Sequence, residues 1–455
     1  MGSYTQCWLG DMFVGSSKND VDYEIISLFR ASDKHVVSNP NESVPKILKD
    51  YQETQKEEPE LEIVYYEASA SLIRDRLDIM GYTLSTAKKA FQAWFDGEIN
   101  RLYQGVQEHK DDDKNEEFSL YDIYLKDYEI ISSITPEKWL EALEDIRQSK
   151  LEPNSYGRYE GPHEDTLIGY MLSNEWYGFP GYDMNVPLRM ILEDAKEDQT
   201  LIYDVTDLVW SECFDPNDDF VNHGVENFAD YYSSKAKTII LTEGRTDAWI
   251  LQKSLAILYP HLAEYYSFME FENAKVGGGV GSLLNMVKAF AGAGVINHMV
   301  ALFDNDTAAI AAIKNIEKIK LPSNIAILKL PEIDLLKNYP TIGPTGETYM
   351  DINGVAASIE LYFGEDVLKL DSEKMSPIQW TGYEASVKKY QGEVLNKKLL
   401  QVAFKRKLES AHLSGTNPLD STWDPLRSIF KLIFSAFNNK NEKAICNLVS
   451  EYYDS

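Results

Sequence analysis

The centre of the chain alternates short apolar runs with amphipathic segments. Residues 238–242 and 298–303 are mostly apolar and have no polar alternation, which is typical of strands buried on both faces of a sheet. Similar runs cover residues 267–272, where the signal is weaker, and 325–330. Apolar residues recur with helical spacing between these runs, over residues 249–258, 282–291 and 308–319. This β-α-β-α-β-α-β order predicts a mainly parallel sheet with helices on its faces.

Different patterns flank this central region. A hairpin signal at Gly10-Asp11 and helical spacing over residues 65–107 predict an α+β N-terminal region. Residues 201–210 have the pattern of a strand that runs into a short helix, and the last part of the chain is mostly helical in pattern. The predicted fold class is therefore α/β, with a central, mainly parallel sheet. The predicted parts are the N-terminal region 1–110, a mixed middle region 118–235, the central domain 236–363 and a helical C-terminal region 364–455.

The chain is strongly acidic. It contains 73 Asp and Glu against 44 Lys and Arg, a formal net charge of -29. This balance argues against broad, non-specific binding of nucleic acid by a basic face. It does not exclude a nuclease, because divalent cations bound at an acidic site invert the local charge. The acidity also favours a partner, either another subunit of a homo-oligomer or a basic protein, that supplies affinity for nucleic acid.

The cysteines exclude some classes of site. Cys7, Cys213 and Cys446 lie far apart, and no CxxC pair occurs, so a zinc ribbon or a redox dithiol is disfavoured. Free thiols suit a reducing compartment, and we expect a cytoplasmic protein. The first residues lack the basic and apolar segments of a secretory signal, and no run of about 18 apolar residues occurs. We therefore expect no membrane association.

Acidic residues follow two of the predicted buried strands. Glu243 comes just after the first strand, with Asp247 four residues later, and Asp304 and Asp306 directly follow the third. Ligands gather beyond the carboxyl ends of strands in open α/β sheets, and each pair has a spacing that places its members on one side. Four converging carboxylates repel one another unless cations such as Mg²⁺ or Mn²⁺ bridge them. Two such ions could activate water and stabilise the leaving oxygen of a phosphodiester.

The same residues allow other interpretations. The four acids could be ordinary loop residues in a chain that has 73 acidic side chains. Asp304-Asn305-Asp306 also resembles the motif of haloacid-dehalogenase phosphatases, but Ala308 stands where that family has Thr or Val, and Glu243 is left unexplained. The glycine run 277–281 lacks the Lys-Ser/Thr of a P-loop, so it predicts a backbone turn close to the acids.

Together the two acidic motifs resemble a known domain. Residues 243–247 (EGRTD) and 303–306 (FDND) are similar to the Toprim domain of topoisomerases, primases and overcoming-lysogenization-defect nucleases. The resemblance covers the central domain. It implies that Glu243 acts in acid/base chemistry or binds metal, and that Asp304 and Asp306 bind a divalent metal.

Three further residues follow from this resemblance. The Glu-x-x-x-Asp spacing is more similar to that of the overcoming-lysogenization-defect nucleases, which makes Asp247 a metal ligand. Lys329, at the end of its predicted strand, corresponds to a lysine that would stabilise the negative charge of a phosphate. Glu360 corresponds to a late acidic residue that would complete a second metal site.

The N-terminal region resembles a second group of proteins. Residues 7–10 (CWLG) and 72–81 (LIRDRLDIMG) are similar to the N-terminal module of bacterial HEPN/Toprim-associated proteins, which would occupy residues 1–110. This resemblance implies a role in antiphage defence. Arg406 and His412 loosely fit the arginine and histidine that HEPN ribonucleases place a few residues apart on a helix.

The sequence thus predicts a nuclease that depends on Mg²⁺ or Mn²⁺ and cleaves DNA or RNA, with tRNA among the candidate substrates. Two alternatives stay open. The Toprim unit could be a non-catalytic or regulatory subunit that binds or assembles a defence complex. The C-terminal helices could also act as a HEPN-type RNase.

Overall fold

The chain folds into two compact units. The computed structural model describes residues 2–110, 119–153, 158–196, 198–222, 224, 237–269, 277–316, 319–370, 374–414 and 420–453. The first unit consists of Met1–Tyr232 with Asn438–Ser455, and the second of Ser233–Phe437. Each unit has a hydrophobic core of its own.

Five strands of the first unit form one antiparallel sheet. They are β1 (Tyr4–Leu9), β2 (Met12–Lys18), β3 (Lys34–Val37), β4 (Ile63–Ser69) and β5 (Thr200–Asp204). Their order is β2-β1-β5-β4-β3. β1 and β2 form the hairpin predicted around Gly10, whose φ of 59° suits glycine. Because β5 lies between β1 and β4, the regions 1–110 and 118–235 contribute to a single sheet.

Helices surround this sheet. They are α1 (Tyr23–Ile26), α2 (Lys49–Glu57), α3 (Ala70–Ile79), α4 (Leu84–Glu108), α5 (Leu120–Ile131), α6 (Pro136–Ser149), α7 (Leu167–Ser173), α8 (Asn185–Ile191) and α9 (Thr206–Trp210). Phe91, Trp94 and Trp139 of α4 and α6 are buried in the main core.

The predicted helix over residues 65–107 is wrong at its start. Those first residues belong to β4, whose side chains are buried on both faces of the sheet and so lack the alternation that marks a half-exposed strand.

The second unit contains the predicted parallel sheet. Its strands are β6 (Thr238–Leu241), β7 (Tyr266–Phe268), β8 (Met299–Phe303) and β10 (Ile325–Lys329). The short strand β9 (Asn305–Asp306) follows β8 but lies outside this sheet, and the helices are α10 (Arg245–Leu258), α11 (Val280–Ala293) and α12 (Thr307–Ile316). The sheet order is β10-β8-β6-β7, and every pair is parallel. The alternating β-α order is therefore confirmed. The predicted strand 267–272 overlaps β7, and the part of the prediction after residue 269 lies outside the described residues.

Both faces of the parallel sheet are covered. Ile240 and Val300 contribute to one core, together with side chains of α10. Leu241 and Phe303 contribute to the other, against Val287 and other side chains of α11 and α12. This double burial explains the uninterrupted apolar runs in β6 and β8.

A second sheet and a set of helices complete this unit. The remaining elements are β11 (Tyr339–Gly343), β12 (Gly346–Met350), β13 (Ala356–Ala357), α13 (Glu365–Leu368), β14 (Ile378–Glu384), β15 (Lys389–Val394), α14 (Lys397–Ser414) and α15 (Asp424–Phe434). The second sheet has the order β12-β11-β14-β15, and β13 pairs with β9. The prediction of a helical C-terminal region is confirmed by its helices, but the region also contains the unpredicted hairpin β14–β15.

The last helix, α16 (Asn438–Tyr453), belongs to the first unit. Its Ile445 and Val449 are buried in that unit's main core. Among the helices that the structure describes, none is both long enough and apolar enough to cross a membrane.

Candidate functional site

The loop between β6 and α10 carries the first two acids. Glu243 lies just past the carboxyl end of β6, and Asp247 lies in the first turn of α10. The Gly279 N–H donates a hydrogen bond of 2.6 Å to the Glu243 backbone oxygen. A Cβ at Gly278 would lie 3.2 Å from the same oxygen. The glycine run is thus a backbone turn close to the acids, as predicted.

The end of β8 carries the second pair. Asp304 directly follows β8, and its N–H donates to Glu243 Oε1 at 3.1 Å, so the two acidic motifs are joined by a hydrogen bond. Asp306 Oδ1 accepts the Ala309 N–H at 2.7 Å at the start of α12. Its Oδ2 accepts from Gln391 Nε2, also at 2.7 Å. The structure therefore brings both predicted pairs together at the carboxyl ends of two parallel strands.

Glu360 lies beside the same acids although it is remote from them in sequence. It is fully buried in a 3-10 turn, Ile359–Tyr362, and interacts with three polar side chains. Ser358 Oγ donates to its Oε2 at 2.8 Å, Gln401 Nε2 donates to its Oε1 at 2.9 Å, and Lys397 Nζ lies 3.2 Å from Oε1. These contacts compensate for the burial of the carboxylate. We call Glu243, Asp247, Asp304, Asp306 and Glu360 the acidic centre.

Burial and repulsion within the acidic centre raise the pKa values of three of its carboxyl groups. Burial, together with the nearby carboxylates of Asp306 and Asp247, raises the pKa of Glu243 to about 7. Burial and Glu360 raise the pKa of Asp247 to about 6. Burial and the other four carboxylates raise the pKa of Asp304 well above its ordinary value. The centre therefore holds more negative charge than its surroundings compensate.

Lys397 interacts with the acidic centre and was missed by the sequence analysis. It is the first residue of α14, and its side chain is half exposed. Burial lowers the pKa of its ammonium group, but the carboxylates of Glu360, Asp304 and Asp247 outweigh burial and raise it. No motif links Lys397 to the acids in sequence. The available signal is the excess of lysines that begins at residue 388.

Three residues considered from sequence lie apart from these contacts. Lys329 is half-buried at the end of β10, in register with Phe303. Within the described residues it makes no hydrogen bond or ion pair with the acidic centre. Arg406 and His412 are both exposed on α14, and no hydrogen bond or ion pair joins them in the described part of the chain.

The donor chemistry of the acidic centre fits a hard divalent cation. Its potential ligands are carboxylate oxygens, which Mg²⁺ and Mn²⁺ prefer, and their mutual repulsion is what a cation would relieve. In the part of the chain that the structure describes, no group of three His, Cys, Asp or Glu side chains is already arranged to hold an ion.

The first half of the chain matches a known family. The protein-family model described as HEPN/Toprim N-terminal domain 1 matches residues 1–229, just over half of the 455 residues. No curated protein and no solved structure matches the chain. The matched range includes the whole antiparallel sheet of the first unit and extends beyond residue 110. The chain therefore belongs to the HEPN/Toprim-associated family, as the resemblance of its N-terminal region predicts.

Proposed function

We propose that the second unit contains a Toprim-like domain over residues 236–363 and that its acidic centre is a metal-dependent phosphodiesterase site for DNA or RNA. Membership of the HEPN/Toprim-associated family points to a nuclease-like function and supports this proposal. The observation that carries it is the position of Asp304. This carboxyl lies partly buried at the carboxyl end of a parallel strand, and desolvation together with four other carboxylates raises its pKa.

The residues divide into two roles. Asp247, Asp304, Asp306 and Glu360 would hold Mg²⁺ or Mn²⁺, and Glu243 would act in acid/base chemistry or as a further ligand. Such an ion, when bound, polarises a phosphate oxygen and lowers the pKa of a coordinated water. Hydrogen bonds hold two of these side chains in place, since Asp304 N–H donates to Glu243, and Ala309 N–H and Gln391 donate to Asp306.

Lys397 would stabilise the negative charge that develops on the phosphate. The sequence analysis assigns this role to Lys329, but Lys397 is the lysine whose charge interacts with Glu360, Asp304 and Asp247. An ammonium group in a partly desolvated site stabilises a phosphate more strongly than it would in water. Family membership also supports extending the proposal to antiphage defence, in which the activity would be released during infection.

Cleavage assays on the full chain test the proposal. Plasmid DNA and total tRNA would be incubated with Mg²⁺ or Mn²⁺ and the wild type, Glu243→Gln or Asp304→Asn. We expect cleavage of one polymer and a loss of at least about a hundredfold in both variants. Asp334→Asn is the matched control, because Asp334 is an exposed acid of the same unit and pairs only with Lys337 in the described contacts. Variants as active as the wild type would refute the assignment.

Metal titration by calorimetry separates the remaining outcomes. A wild type that binds Mn²⁺ but cleaves neither polymer would favour the regulatory binding subunit. A wild type that binds no divalent ion would refute the phosphodiesterase site. For the defence role, phage plating on cells that express the wild type or Asp304→Asn should show protection only by the wild type.

A further inference from the structure

The hairpin β14–β15 exposes a cluster of aromatic side chains. Tyr383 and Tyr390 are cross-strand partners with ring centroids 5.1 Å apart. Trp380 lies 6.2 Å from Tyr390 and pairs with Gly392, and its indole ring is partly buried against the core. The two tyrosines are 56% and 60% exposed. We call Trp380, Tyr383 and Tyr390 the aromatic hairpin. Clustered aromatic surface of this kind marks a binding site more often than scattered apolar residues do.

The aromatic hairpin is attached directly to the acidic centre. Gln391 donates to Asp306 at 2.7 Å, and its Oε1 accepts the Ala308 N–H at 3.1 Å. Thr307 Oγ1 donates to the Tyr390 backbone oxygen at 2.7 Å. Tyr390 is thus the neighbour in sequence of a residue that contacts a proposed metal ligand. Neighbouring residues of a strand point to opposite faces of the sheet, so the tyrosine rings and the Gln391 side chain lie on opposite faces of the hairpin.

The second strand of the hairpin and the helix α14 that follows it reverse the charge of the chain. Residues 388–407 contain seven Lys and Arg but one acidic residue, in a chain whose net charge is -29. Lys388, Lys398 and Arg406 are exposed. Lys398 and Lys397 also line a pocket formed by the two strands of the hairpin and the start of α14. This local positive charge is complementary to a polyanion and continues to the lysine of the acidic centre.

Building on the phosphodiesterase proposed above, we propose that the aromatic hairpin binds an unpaired strand of nucleic acid. Bases of the strand stack on Tyr383 and Tyr390, and the neighbouring lysines neutralise its phosphates. A duplex keeps its bases stacked inside and cannot use the rings, so the substrate class is single-stranded DNA, single-stranded RNA or an unpaired loop.

Binding can be measured without cleavage. Fluorescence anisotropy of labelled oligo(dT), oligo(U) and a duplex of equal length would be recorded with Ca²⁺ in place of Mg²⁺. The double variant Tyr383→Ala/Tyr390→Ala should bind both single strands about tenfold or more weakly, because base stacking on an aromatic ring is lost. Tyr383→Phe/Tyr390→Phe should bind as the wild type does, because phenylalanine retains the ring. Different affinities for the two oligonucleotides would identify the preferred polymer.

Tyr349→Ala provides a matched control. Tyr349 is 60% exposed, as Tyr390 is, but lies on β12 at the opposite edge of the same sheet. It should leave the affinity unchanged. Lys388→Ala and Lys398→Ala should each reduce the slope of log affinity against log salt by about 0.7, the contribution of one phosphate contact on a single strand.

Several results would overturn the proposal. They are a wild type that binds duplex more tightly than single strands, an alanine double variant with wild-type affinity, and a double variant that instead loses self-association. Failure of the proposed phosphodiesterase gives a different result. A wild type that binds single strands through the two tyrosines but cleaves none would refute the phosphodiesterase and support binding by the aromatic hairpin. Both tyrosines are exposed, so urea unfolding should show the double variant to be as stable as the wild type.

Discussion

Replacing Lys397 by methionine should tighten metal binding and at the same time abolish cleavage. The Lys397 ammonium lies 3.2 Å from Glu360 Oε1, and its charge also offsets Asp304 and Asp247. Methionine keeps most of the apolar stem but removes the charge. The acidic centre then has one more uncompensated negative charge, which attracts a divalent cation more strongly. Substitution of a metal ligand would have the opposite effect on binding.

The size of the effect follows from the geometry of the pair. At 3.2 Å the attraction of two unit charges is about 5 kcal/mol at an effective dielectric constant of about 20, and about 1.3 kcal/mol in water. The lower value applies, because 52% of the Lys397 side chain is exposed and solvent screens it. About 1.3 kcal/mol corresponds to roughly a tenfold change in affinity. We therefore expect Mn²⁺ to bind about tenfold more tightly, while cleavage falls by about a hundredfold or more.

Calorimetric titration with Mn²⁺ and the cleavage assay measure the two effects on the same samples. Lys398→Met is the control, because it changes the net charge equally but its exposed side chain makes no described ion pair with the acids. It should bind Mn²⁺ as the wild type does. A folded Lys397→Met protein with unchanged or weaker affinity would show that this lysine is not coupled to the centre. Full cleavage by the same variant would refute its role in stabilising the phosphate.

Two further predictions concern stability. Burial raises the pKa of Asp204 to about 6 from an ordinary value of 3.8, so the folded chain binds a proton there in the window where the unfolded chain has released it. The free energy of unfolding should therefore fall as pH rises between these two pKa values. Urea unfolding should show that Asp204→Asn removes about 1–3 kcal/mol of this fall. Parallel curves of stability against pH for the wild type and the variant would contradict the prediction. Gly364→Ala should cost more than about 2 kcal/mol in the same assay, because φ is 98° and a Cβ would lie 2.3 Å from the Thr422 backbone oxygen. Gly346→Ala, with φ of 102° but open space around it, should cost only about 1 kcal/mol, and equal losses would refute the clash.

Local pattern was sufficient for the parallel sheet and for the first four acids. β6 and β8 are buried on both faces, so each is an uninterrupted apolar run that can be recognised without knowledge of its partners. Parallel strands end at the same edge of their sheet, so residues just past those ends must lie near one another. Glu243 and Asp304 could therefore be placed together from sequence. Family membership was likewise predicted from short motifs near the start of the chain.

Long-range contacts decided the rest. Gln391 and Lys397 reach the acidic centre from separate elements, and no periodicity links them to Asp304. Glu360 was expected there only from the family resemblance, since local pattern does not place it beside the other acids. The hairpin β14–β15 was missed because its strands are largely exposed and rich in Gly and polar residues, so they lack a buried face. β5 joins a sheet whose other strands lie more than a hundred residues earlier in the chain. Strand pairing and ion pairing depend on which segments meet in the folded chain, and local side-chain pattern does not contain that information.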